Sequence, residues 1–188
     1  MNLNRKARFA TLAAGLAAVF TLSACAGNPG TAMSVGDTTY SNTDISTGVA
    51  QISEIAGRPV DTPVLVNAIS RASLITEFAK QNNITVADSE IEDFAKAQVA
   101  AGAFAAFPEG ELSAVTRDFL RLQMLTDKLS AVITDPAQIE AANAQYAELV
   151  QNTDIEVNPR YGTFDEETDL LAPSTFGDVV SSHTHGAR

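Results

Sequence analysis

The sequence predicts a mainly α domain: about five helices with a small antiparallel sheet formed by an N-terminal hairpin and a returning C-terminal strand. Three observations predict it. Between Ser41 and Val150 apolar residues recur at helical spacing in five blocks, each bounded by capping or breaking residues. Ahead of them, Met33 to Tyr40 places Gly36-Asp37 between two short β-prone runs, the pattern of a hairpin. After the helices, Ile155 to Phe164 alternates with period two.

Ser41 caps the first helix, with Asp44 three residues on as a short capping box. Ile45, Val49, Ile52 and Ile55 share one face, and Gly57 stops the helix. Thr62-Pro63 opens the second, a hydroxyl cap followed by proline in the first turn. Leu65, Ile69, Ala72, Ile75 (or Leu74), Phe78 and Ala79 form its inward stripe, and Asn82-Asn83 ends it. The third helix runs from about Asp88 to Ala101 with Ile91, Phe94, Ala95 and Val99 inward. A loop follows from Ala103 to Gly110. The fourth helix, about Glu111 to Ile133, carries Leu112, Val115, Phe119, Leu122, Leu125 (or Met124), Leu129 and Val132. Asp135-Pro136 starts the fifth, to about Val150, with Ile139, Tyr146 and Leu149 on one side. Pro159 lacks an N–H, which confines the final strand to an edge or a bulge.

The first 24 residues read differently from the rest. Arg5, Lys6 and Arg8 precede a predominantly apolar run from Phe9 to Leu22, and no acidic residue occurs there. That run is shorter than the roughly 20 residues a membrane-spanning helix needs and fits the apolar region of a secretory signal. Leu22-Ser23-Ala24-Cys25 closes it and contains the only cysteine. These four residues resemble a bacterial lipobox. The resemblance implies cleavage before Cys25, diacylation of its thiol, and a lipid-anchored protein on the extracytoplasmic face of the cell membrane. The expected organisation is a signal peptide at 1–24, a tether at 25–31, a folded domain at 32–165 and a disordered tail at 166–188.

Without the leader, 9 basic residues face 23 acidic ones, a net charge of −14. Such a balance excludes nucleic acid as a partner and electrostatic docking to anionic surfaces. With Cys25 committed to the anchor, neither a disulfide nor a zinc–thiolate site can form. Nine Phe and no Trp make the expected core aliphatic with phenylalanine wedges.

An ordered set of motifs carries a family resemblance. The lipobox is followed by Ala32-Met33-Ser34-Val35-Gly36-Asp37, a capped helix with Asp44-Ile45, and Asn83-Ile84-Thr85-Val86-Ala87-Asp88-Ser89-Glu90-Ile91. This set resembles the N-terminal chaperone domain of the SurA/PrsA family of extracytoplasmic folding factors, across about residues 32–165. Ala87 departs from the Thr or Ser cap common there. Val157 to Phe164 resembles the returning strand of actinobacterial lipoproteins of this type. PrsA-like proteins insert a parvulin prolyl-isomerase domain before that strand. A self-standing globular unit needs at least about 40 residues, and this chain has one predicted helix between Ile133 and Ile155. Its histidines, His183 and His185, lie in the terminal tail. The resemblance therefore implies a chaperone-like domain that is not an enzyme and uses no cofactor.

Other chemistry finds no support. Gly-x-Ser-x-Gly, Ser-x-x-Lys, His-Glu-x-x-His and phosphate-binding glycine loops are all missing from the sequence. Glu90, Glu92 and Asp93 read as a solvated helix face, and no metal site is expected. Phe104 and Phe107 sit in the Ala103–Gly110 loop. They either plug the core between the third and fourth helices or line a client cradle with the adaptable side chain of Met124. The expected function is that of a membrane-anchored holdase for unfolded or exported polypeptides, held to the membrane by the lipid on Cys25. The alternative is a non-chaperone adaptor of a cell-envelope secretion or assembly system. A solute-binding lipoprotein ranks last, because the chain is short for two lobes.

Overall fold

The computed structural model describes residues 30–165 and 170–172. The leader, Cys25, most of the tether and most of the acidic tail lie outside the described residues. Ten elements follow in order: β1 (Thr31–Val35), β2 (Thr38–Ser41), α1 (Asn42–Ala56), α2 (Thr62–Gln81), α3 (Asp88–Ala100), α4 (Ala114–Val132), α5 (Pro136–Asn152), β3 (Ile155–Val157), β4 (Thr163–Asp165) and β5 (Leu170–Ala172). The domain is mainly α with a small sheet, as the sequence predicts. β1 begins at Thr31, inside the expected tether.

The hairpin forms because Gly36 takes a φ of +54°, which a residue with a Cβ adopts at a cost. β1 and β2 pair antiparallel with Val35 opposite Thr38 and Met33 opposite Tyr40. β3 returns to the other side of β1, so the strand order is β2-β1-β3, with Met33 opposite Val157 and Val35 opposite Ile155. Asn158 extends the pairing: its N–H donates to Ala32 O at 2.8 Å and its Nδ2 to Thr31 O at 3.1 Å. The expected single strand to Phe164 is broken here. Asn158 Oδ1 accepts from Arg160 N, and its carbonyl accepts from Tyr161 N, making a turn around Pro159. The proline falls where no ladder bond is needed. After the turn β4 pairs with β5, Phe164 opposite Leu171, so a strand occupies part of the stretch assigned to a tail.

Helix ends follow local chemistry. Ser41 Oγ accepts from Asp44 N at 3.1 Å, and Asp44 reaches back to Ser41 N at 2.8 Å, a complete capping box. Gly57 closes α1 at φ +64°. Asn83 ends α2 at φ +59°, with Ile84 N reaching Ala79 O at 2.8 Å. Two starts differ from expectation. Thr62 is already helical, and Asp61 precedes it in extended conformation without a side-chain cap bond. α4 begins at Ala114 rather than near Glu111, because Ser113 offers the hydroxyl: it accepts from Thr116 N at 3.1 Å. Leu112 is nonetheless buried, from the loop ahead of the helix.

α2 and α4 form the central helix pair, with α1 and α3 against α4 and α5 against α2. Met33, Val35 and Tyr40 of the sheet meet Ile45, Ile52 and Ile55 of α1 and Leu65, Val66 and Ile69 of α2 in one core. In α2 the buried member of the Ile75/Leu74 choice is Leu74, and in α4 Leu120 is buried while Phe119 is half-buried. Val132 and Ile139 were expected inward but are 62% and 43% exposed. They flank the turn between α4 and α5. Among the described residues two polar side chains, Ser70 and Thr116, are fully buried, and both are satisfied. Ser70 donates to Val66 O, and Thr116 donates to Gln51 Oε1 at 2.7 Å. Gln51 also accepts from Ser113 N and donates to Glu111 O, which ties α1 to the start of α4.

Candidate functional site

A cleft of about 490 Å³ opens where the hairpin turn meets α2 and α4. Alternation along β2 sends Tyr40 to the same face as Thr38, toward the helices. Ser73, Thr76, Glu77 and Lys80 line the cleft from successive turns of α2, and Asp118 and Arg121 from one turn of α4. Asp37 and Thr38 form its rim.

From its base the side chains form a continuous chain of contacts. Tyr40 Oη donates to Asp118 Oδ2 at 2.8 Å and lies 3.3 Å from Ser73 Oγ. Asp118 pairs with Arg121 Nη1, and Arg121 Nη2 donates to Asp88 Oδ1 at 2.7 Å at the start of α3. Burial, with the Asp118 carboxylate beside it, pushes the Tyr40 phenol far above the ordinary tyrosine range. The phenol therefore stays protonated and serves as a donor, not as a base. Ser73 lies within hydrogen-bond distance of Ile69 O at 3.3 Å as well as Tyr40, and no histidine is among the described residues to activate it. The arrangement links sheet, α2, α4 and α3 in one strut. Its contacts are hydrogen bonds and charge pairs.

The residues singled out from the sequence lie elsewhere. Phe104 and Phe107 are half-buried and packed against the main core. Phe104 meets Phe94 of α3 edge to face with centroids 6.1 Å apart, and Lys96 Nζ lies 5.5 Å from the centre of the Phe107 ring. Ala105 N donates to Ile55 O at 2.8 Å, pinning the loop to the end of α1. Met124 is half-buried on α4 against the same core. The two phenylalanines thus share one loop, and Met124 belongs to a different element. Glu90 caps α3 by accepting from Ala87 N at 2.7 Å and pairs with Lys128 at 3.0 Å. The backbone bond first, and Lys128 second, hold its carboxyl below the ordinary range. Ala87 thus has no capping side chain of its own, and Glu90 supplies the reciprocal half of the box. Glu92 pairs with Lys96 at 3.5 Å.

Sequence reasoning missed the strut. Asp118 and Arg121 stand at the i, i+3 spacing of a helical ion pair, a visible signal, but nothing local brings Tyr40 to them. Compared with protein-family models, curated proteins and solved structures, the chain matches none.

Proposed function

We propose that this chain is a lipid-anchored extracytoplasmic holdase, tethered through Cys25, that binds unfolded exported polypeptides and does not isomerise prolyl bonds. The observation that carries the reading is the pairing of β1 with β3, in which a returning strand closes a helical domain. The resemblance to the SurA/PrsA chaperone domain implies that arrangement. Between Ile133 and β3 the chain contains α5 and no further domain. Partly exposed apolar side chains, with Phe104, Phe107 and Met124 among them, supply the contact a holdase needs. A holdase covers apolar client segments stoichiometrically and requires neither nucleotide nor metal.

The purified protein is mixed with a chemically unfolded, aggregation-prone model protein, and light scattering is followed. Suppression at a ratio near one to one is expected, with no acceleration of prolyl isomerisation in a peptide assay. Absence of suppression at every ratio, with an intact circular-dichroism spectrum, overturns the reading in favour of an envelope adaptor.

A further inference from the structure

Only residues 26–29 separate Cys25 from Gly30, where the described chain begins. Five steps between Cα atoms reach at most about 18 Å, and a folded domain of this size is roughly 35 Å across. An anchor on Cys25 therefore cannot reach round the domain, and the end at which the chain enters is held nearest the bilayer. Three segments build that end. Asn42 N at the start of α1 donates to Gly30 O at 2.8 Å, Asn158 Nδ2 donates to Thr31 O at 3.1 Å, and Tyr161 Oη donates to Asn42 Oδ1 at 2.7 Å.

β3 runs antiparallel to β1, and Asn158 already bonds to Ala32 O, so the turn after β3 lies beside the entry of the chain. Pro159 and Arg160 are exposed there, and Tyr161 is half-buried. The Arg160 guanidinium lies 5.5 Å from the centre of the Tyr161 ring. A cation beside a tyrosine suits a membrane–water interface, where the charge meets phosphate and the amphipathic ring sits at headgroup depth. Asp44, at the start of α1, is taken up by Ser41 N and Oγ. The other end of the strands is acidic. Asp37 and Asp154 are exposed there, about 13 Å along β1 from Thr31, and Lys80 beside the cleft is paired with Glu77 at 3.5 Å.

We propose that the end of the sheet holding Gly30, Arg160 and Tyr161 rests on phospholipid headgroups, which turns the hairpin tip and the cleft beside it away from the membrane. This rests on the lipid anchor of the preceding reading and adds the face that the anchor presents to the bilayer. The chain as a whole is acidic, so charge does not supply the attachment. The acyl chains do that, the short tether selects the end, and Arg160 holds it against headgroup phosphate. Asp37 and Asp154 lie more than a Debye length farther out, where their repulsion from anionic lipid is screened. The cleft is thereby open to polypeptides arriving from the extracytoplasmic side.

The test uses the full chain with its leader, produced in a bacterium that acylates lipoproteins. Protein from the membrane fraction is returned to vesicles of phosphatidylethanolamine and phosphatidylglycerol that contain a headgroup spin label. An acylated Cys25 has no free thiol, so one added cysteine takes a single fluorophore. Thr43→Cys places it on an exposed residue at the tether end, and Asp37→Cys places it at the hairpin tip. Quenching at position 43 is expected to exceed that at position 37 at least threefold. Arg160→Glu in the Thr43→Cys protein should reduce it at least twofold, with the circular-dichroism spectrum unchanged. Equal quenching at the two positions, stronger quenching at position 37, or no effect of Arg160→Glu overturns the proposal. The mass of the N-terminal peptide separates the two readings. A diacylated Cys25 with equal quenching leaves the anchor and sinks the face; an unmodified Cys25 sinks the anchor and the face with it.

Discussion

Gly48 of α1 lies directly against Val115 of α4: a Cβ on Gly48 would sit 2.8 Å from Val115 Cβ and closer still to its Cγ1. Gly48 and Val115 are both buried. The hydrogen-bonded anchor of Gln51 on Ser113 and Thr116 stands one turn further along α1. The two helices are thus fixed at a separation that admits no side chain at position 48. Gly48→Ala gains helix propensity but must displace Val115, and overpacking of this kind costs about 1–3 kcal/mol. Urea unfolding should show that loss. Adding Val115→Ala to it should cost less than the sum of the two single changes, because the clash is gone. Strict additivity would disprove the contact.

Tyr40→Phe removes the donor to Asp118 from a residue that is 4% exposed. A hydrogen bond to a charged group contributes about 1.5–3 kcal/mol, so a loss of that order is expected at neutral pH. The alkaline limb gives an independent check. A phenol whose pKa is raised in the folded protein contributes stability that is complete below its unfolded-state value of about 10 and is lost as pH rises beyond it. The unfolding midpoint of the wild type should fall as the pH rises from about 10 to about 11.5, and the Phe variant should fall less. Parallel slopes would place Tyr40 outside the strut.

Ending the chain at Asn152 removes β3, while ending it at Asp165 keeps the β1·β3 pairing. A two-stranded hairpin is marginal in water, so the shorter chain should melt about 10 °C lower than the longer one, a difference of about 2–4 kcal/mol. Equal melting temperatures would refute the closing role of the returning strand.

Phe104→Ser with Phe107→Ser removes two half-buried rings and their contacts with Phe94 and Lys96. A combined loss of about 3 kcal/mol is expected in thermal or urea melts. Suppression of client aggregation, measured at a temperature where the variant remains folded, then separates packing from binding. Unchanged suppression would remove both residues from the client surface.

Acylation needs a thiol, so Cys25→Ser should leave an uncleaved precursor or release the protein from the membrane fraction. A fatty-acid analogue that still labels the Ser variant would contradict the proposed anchor.

What the sequence made legible is what neighbours in the chain decide. The Ser41–Asp44 box, the Gly57 stop, the Asn82-Asn83 end and the Gly36-Asp37 turn all depend on groups within a few residues of one another. The return of β3 is not a local feature; it was legible because the hairpin needs a further partner and the period-two run from Ile155 to Phe164 offered one. Ser113 carried a local signal for the start of α4 that Glu111 obscured. The burial of Leu74 rather than Ile75, and of Leu120 rather than Phe119, turns on the angle at which α2 and α4 meet, which periodicity fixes only to within a residue. Tyr40 and Asp118 are hydrogen-bonded partners brought together only by the packing of β2 on α4, so no spacing announced them.

The opposition of Met33 and Val157 also sets an order of events as the chain is made. Partners roughly 120 residues apart must find each other after the intervening helices have formed, a late and entropically costly closure. The first of the described strands is thus among the last to be locked in place. Until Ile155 has emerged, the nascent domain has its helices and a frayed hairpin, with the free edge of β1 open to any passing strand.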